Sequence, residues 1–158
     1  MSIDYAFFDF REEHYSALYR AWLIIYKLSE NRNKKLQLSI YKAQQIDHIV
    51  KSPKLFKNAC QFLSGPHSAN DIPESLYNSE VKSTGAFDKK EFLTKVMLLS
   101  EAGIVELIRD DEHFLIKCLT PPPTSELPTQ VQLESQIVAI KGLINKSESV
   151  LNKIILGG

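Results

Sequence analysis

Few residues in this 158-residue chain are suited to chemistry. There are two cysteines, Cys60 and Cys118, both inside apolar patterns and with no metal or redox spacing between them. They read as buried free thiols. Four histidines, His14, His48, His67 and His113, are scattered, and no two have the spacing that places metal ligands on one helix. Six glycines, at 65, 85, 103, 142, 157 and 158, form no phosphate-cradling loop, which argues against nucleotide binding. No nucleophile stands beside an obvious base. The cluster Asp110, Asp111, Glu112 and His113 could suggest a metal, but it reads more simply as the solvated tip of a hairpin. The expectation is a protein that is not an enzyme and has no cofactor or metal.

Long apolar runs are also missing. Nothing approaches the roughly 18 residues that a membrane helix needs, and "MSIDYAFFDFREEHY" has neither a basic region nor an apolar core of signal-peptide length. A cytoplasmic protein with no membrane contact is expected. Charge of one sign is not in excess either, since 19 basic residues balance 19 acidic ones. A protein that grips nucleic acid alone is usually basic overall. The charge is nevertheless uneven. Arg32, Lys34, Lys35, Lys42, Lys51, Lys54 and Lys57 face only Asp47 in their stretch, and the chain from Asn58 to Glu126 is acidic. Such polarity suits assembly with other chains.

The 44% hydrophobic content is ordinary for a globular core. "REEHYSALYRAWLIIYKLSE" puts Leu18, Ala21, Trp22, Ile25 and Leu28 on one helical stripe, with Glu12 and Glu13 at its start. After the basic turn "NRNKK", the residues Leu36, Ile40, Ala43, Ile46 and Val50 predict a second helix. Ser52 and Pro53 open a third. Residues 64–86 read as loop with room for one short helix. Asp88 and Glu91 form a capping box, and Phe87 with Phe92 a staple. The helix that follows buries Phe92, Val96, Leu99 and Ala102 and stops at Gly103. "IVELI" and "FLIKCL" flank "RDDEH" as a β-hairpin. Helix, glycine stop, strand, polar turn and strand is the pattern of a wing.

The fold expected is mainly α with a small β-hairpin: a winged-helix-like domain over 1–120, a proline-rich linker over 121–128, and a long amphipathic C-terminal helix over 129–158. In that last helix Leu133, Ile137, Ile140, Ile144, Leu151 and Ile154 recur in steps of three and four, with Ser147 the only polar residue in the series. Thr129 and Gln132 look like its capping pair. It would be about 40 Å long, and Val138, Leu143, Val150 and Ile155 widen its stripe beyond one seam. The six seam residues are therefore expected to be buried, as a partner interface or self-association surface or against the domain's own first helix, and the linker "TPPPTSELP", which would project the helix away from the wing, favours a partner.

Many winged helices read DNA with the helix before the wing. Here Lys89, Lys90 and Lys95 lie on that helix, but Arg, Asn and Gln, the usual base readers, are absent from it. The wing tip carries three acids, which phosphate repels. DNA contact, if made, is expected through phosphates at Arg32, Lys34, Lys35, Lys51, Lys54 and Lys57.

The stretch "WLIIYKLSENRNKKLQLSIYKAQQIDHIVKSPKLF" resembles the small middle component of ABC-three component systems, a group that includes the third, small Lamassu subunit. Trp22 to Leu28 match the family's first apolar helix. Ile46, Asp47, Val50, Pro53 and Leu55 match its second pattern, and Ile104 to Leu119 its wing. The likeness covers roughly residues 18 to 119, and His48 stands where the family carries an aromatic residue. The resemblance implies an accessory subunit of an SMC/Rad50-like coiled-coil ATPase in antiviral or anti-plasmid defence. Partner chains would supply ATP hydrolysis and an effector, usually a nuclease, and DNA would be met through the assembled complex. The alternative is a stand-alone winged-helix DNA-binding transcriptional regulator.

Overall fold

The computed structural model describes residues 2–64, 89–111, 113–124 and 126–157, with side chains from Tyr15 onward. The expected loop over 64–86, the Asp88 cap and the Phe87 staple lie outside these residues, except for Ser64.

No proline or glycine occurs before Pro53, and the first helix, α1, runs over Ser2–Leu28 rather than starting near Glu12. It buries Ala21, Leu23, Ile24, Ile25 and Leu28, more of its circumference than one stripe, because neighbours cover it on two sides. The second helix, α2, starts at Ile40 and not at Leu36. Ser39 is its N-cap and accepts from the Lys42 amide at 3.1 Å. The residues before it are extended. Glu30 bridges Leu36, Ser39 bridges Leu115, and the Ile116 amide donates to the Leu38 carbonyl.

Helix α2 (Ile40–Lys51) is the central element, burying Ala43, Ile46, Ile49 and Val50. Ser52 ends it and opens α3 (Pro53–Ser64), where the Phe56 and Leu55 amides turn back to the Ser52 carbonyl and hydroxyl. Helix α4 (Lys89–Glu101) buries Phe92, Val96 and Leu99, while Ala102, beyond its last turn, is exposed. Gly103, at φ +76°, stops it. The Ile104 amide bonds the Leu99 carbonyl and the Gly103 amide bonds that of Ser100, which is the Schellman closure. A Cβ at Gly103 would touch nothing, so the cost of adding one lies in the left-handed backbone alone. Gly103→Ala is therefore expected to lower stability by about 1 kcal/mol, read as an earlier urea midpoint with an unchanged slope.

The hairpin pairs β1 (Val105–Asp110) with β2 (His113–Cys118), from Val105 opposite Cys118 to Asp110 opposite His113. Ladder pairing continues to Asp110 opposite His113, so Arg109, Asp110 and His113 belong to strands. Asp111 takes φ 52°, which Asp tolerates well. The described order is helix, bridged extended segment, three helices and a hairpin, a mainly helical chain with one small antiparallel sheet.

The C-terminal region departs from expectation. Instead of one long helix there are α5 (Pro128–Ala139), a 3₁₀ turn (Lys141–Asn145) and α6 (Glu148–Gly157). The start is set by Pro128 in the first turn, with no side-chain cap from Thr129. Two residues explain the break. Ser147 accepts from the Val150 amide at 3.2 Å, so the single polar residue in the apolar series is the N-cap of a new helix. Gly142 lies against α3, where an added Cβ would come within 3.2 Å of Leu63 Cδ2. Nor does the proline stretch project this region away. Trp22 Nε1 donates to the Thr120 carbonyl at 2.8 Å, and Lys27 on α1 pairs with Glu134 on α5 at 2.8 Å. Ile137, Ile140, Leu143, Ile144, Leu151, Ile154 and Ile155 are buried in the same core as α1 and α2.

Candidate functional site

The six residues expected to form a partner interface are largely occupied within the chain. Ile137, Ile140, Leu151 and Ile154 are fully buried, Ile144 nearly so, and Leu133 partly. A polar seam fixes α6 on α2. Gln45 Nε2 donates to the Glu148 carbonyl and to Asn152 Oδ1, Tyr41 meets Asn152, and Ser39 Oγ donates to Glu148. Lys42 Nζ donates to the Ile144 carbonyl at 3.0 Å, satisfying an end of the 3₁₀ turn. The excess apolar width of this region is explained by two short helices meeting one core from different sides.

The basic residues do not form one patch. Arg32, Lys34, Lys35, Lys51, Lys54 and Lys57 are all exposed. The first three precede α2 and the others begin at its last residue, so about 18 Å of helix separates the two groups. The first group sits on an ordered turn. Asn31 Oδ1 accepts from the Asn33 and Lys35 amides, the Lys34 amide donates to the Asn31 carbonyl, and Lys34 takes φ 60°.

Helix α4 holds the residues that decide how a winged-helix-like surface can be used. Lys95, one of its three lysines, is buried, and its Nζ donates to Glu91 Oε1 at 3.0 Å. That hydrogen bond, and then the charge of Lys95, holds the Glu91 carboxyl below the usual carboxylate range. Partial burial opposes the shift, and the charges of Lys51 and Arg20 add to it. Nearby, Arg20 Nε donates to the buried carboxylate of Asp47 at 2.6 Å. The first pair lies within α4 and takes up the buried Lys95, and the second joins α1 to α2. Lys90 remains exposed.

Beside the exposed Lys90, Glu91, Thr94 and Glu101, α4 presents apolar side chains outward. Leu93 is 41% exposed, Met97 49% and Leu98 42%, and Phe114 on the wing is 48% exposed. Leu93 and Met97 are one turn apart, and Leu93 and Phe114 line a common cleft. Sequence reading missed this face, although "KKEFLTKVMLLSE" holds more apolar residues than one buried stripe uses.

Comparison with protein families, characterised proteins and solved structures finds no match.

Among the described residues no three His, Cys, Asp or Glu side chains converge on a metal-sized site, and no helix is long and apolar enough to cross a membrane. Cys60 and Cys118 are free and half-buried rather than buried. Burial raises the Cys118 thiol above its ordinary value, although its Sγ donates to the Thr120 carbonyl.

Proposed function

We propose that this chain is a non-catalytic accessory subunit of an SMC/Rad50-like ATPase complex in prokaryotic defence, using a winged-helix-like surface to hold protein rather than DNA. The observation that carries the reading is the outer face of α4. Where a base-reading helix offers Arg, Asn or Gln, this one offers Leu93, Met97 and Leu98, half-exposed, and keeps Lys95 inside. Aliphatic and methionine side chains grouped on a solvent face favour protein contact. The partner's identity rests on the resemblance over residues 18–119. The effector, a nuclease in such systems, would join through the ATPase. Phosphate contact would be a secondary, salt-sensitive role of the exposed basic groups in the assembled complex.

The test is co-expression with the products of the adjacent genes. A large coiled-coil ATPase should co-purify with this chain in a defined ratio, and the chain alone should neither hydrolyse ATP nor cut DNA. Sequence-specific DNA binding by the isolated chain, with no partner retained, would instead establish the transcriptional regulator.

A further inference from the structure

A cleft of about 280 Å³ opens beside the apolar face of α4. It is walled by Ile40 and Tyr41 from the start of α2, Leu93 from α4, and His113 and Phe114 from the wing, with Gln44 the most buried residue of its lining. Gln44 is only 6% exposed, yet no described residue accepts a hydrogen bond from its Nε2. Leaving a buried donor without an acceptor is unfavourable, and nearly all such groups in folded proteins find a partner. On the other flank of α2, Gln45 Nε2 has two acceptors. The unpaired amide therefore belongs to the side of α2 that faces the cleft.

Resting on the protein-docking reading above, we infer that this cleft receives one large apolar side chain from an extended segment of a partner polypeptide, whose backbone carbonyl accepts from Gln44 Nε2. Three observations select that occupant. The walls are mostly apolar and hold no Lys or Arg, so a phosphate has no cation to meet. Exposed apolar side chains continue past the cleft from Leu93 to Met97, one helical turn on, further than a small ligand reaches. A carbonyl inside a helix is already bonded to its own amide, so the acceptor comes from extended backbone. Nε2 is shielded from water in the unbound chain. Entry therefore turns the side chain of Leu93 or Phe114, both exposed enough to change rotamer.

The experiment titrates the full chain with N-acetyl-L-leucine N-methylamide and N-acetyl-L-phenylalanine N-methylamide, each carrying an apolar side chain beside free carbonyls. The readout is the ¹H–¹⁵N spectrum. Both probes should bind saturably in the millimolar range and move the Gln44 side-chain amide pair together with the Leu93 and Phe114 backbone signals. N-acetylglycine N-methylamide, which lacks the anchor, should not. Gln44→Met should weaken binding at least fivefold, and Leu93→Asp, at an exposed position, serves if the first variant fails to fold. Gln44 signals that ignore both probes, as when the chain or a trapped water already satisfies the amide, overturn the inference. So does unchanged affinity in Gln44→Met. The docking reading is tested separately by assembly with the ATPase: loss of assembly in a variant of the outer α4 face, with no probe binding at Gln44, removes only the cleft.

Discussion

Ile140→Asp combined with Ile144→Asp is expected to unfold the chain. Both side chains lie in the core that α5, the 3₁₀ turn and α6 share with α2. Truncating one buried isoleucine typically costs about 2–5 kcal/mol. Each Asp must in addition bury a carboxylate among the apolar side chains of the core, or drag its element into solvent. The sum approaches the whole 5–15 kcal/mol stability of a typical domain. Circular dichroism should show loss of helicity and of a cooperative urea transition. Val138→Asp, at a half-exposed position on α5, should change stability by no more than about 0.5 kcal/mol. A double variant with an unchanged urea midpoint would mean that this region is not core.

The opposite result is expected for Leu93→Asp with Met97→Asp. These positions face solvent, so the variant should remain folded with a urea midpoint close to that of the parent. Association with the proposed coiled-coil ATPase should nevertheless fall by about 100-fold or more if both are hot spots, which contribute about 2 kcal/mol or more each. Titration calorimetry or quantitative co-purification reads the loss. Reversing Lys34, Lys35 and Lys54 to Glu should leave assembly intact and reduce only DNA engagement by the complex, most visibly at low salt. Assembly unaffected by the α4 double variant would remove that face as the docking surface.

Much of the fold was legible where one residue type has one local use. Gly103 stops α4 because a left-handed cap suits glycine, and Ser52 with Pro53 opens α3. The C-terminal region misled because Ser147 and Gly142 interrupt the helix without disturbing the apolar period. The steps of three and four continue in phase across the break, and hydrophobic spacing alone cannot tell a polar seam residue from an N-cap. Leu36 to Ser39 misled similarly. Their apolar residues fit the spacing of the next helix, while pairing with a wing about 75 residues onward holds them extended. Of the candidate site, the absence of Arg, Asn and Gln from α4 was legible from residue types. The cleft was not, because Ile40, Gln44, Leu93 and Phe114 meet only through tertiary packing.

Ser39 does three jobs within one residue: it caps α2, bridges Leu115 of the wing, and reaches Glu148 at the head of α6. Mechanically it is a rivet through three plates. A load that tilts the wing cannot be absorbed at a loose hinge there, because the pairing of Leu38 and Ser39 with β2 leads straight into the first turn of the central helix. Torque applied at the hairpin tip is handed to α2 and, across the Tyr41–Asn152 seam, to the C-terminal end of the molecule. A displacement of the hairpin would therefore be carried to α2 and α6 together.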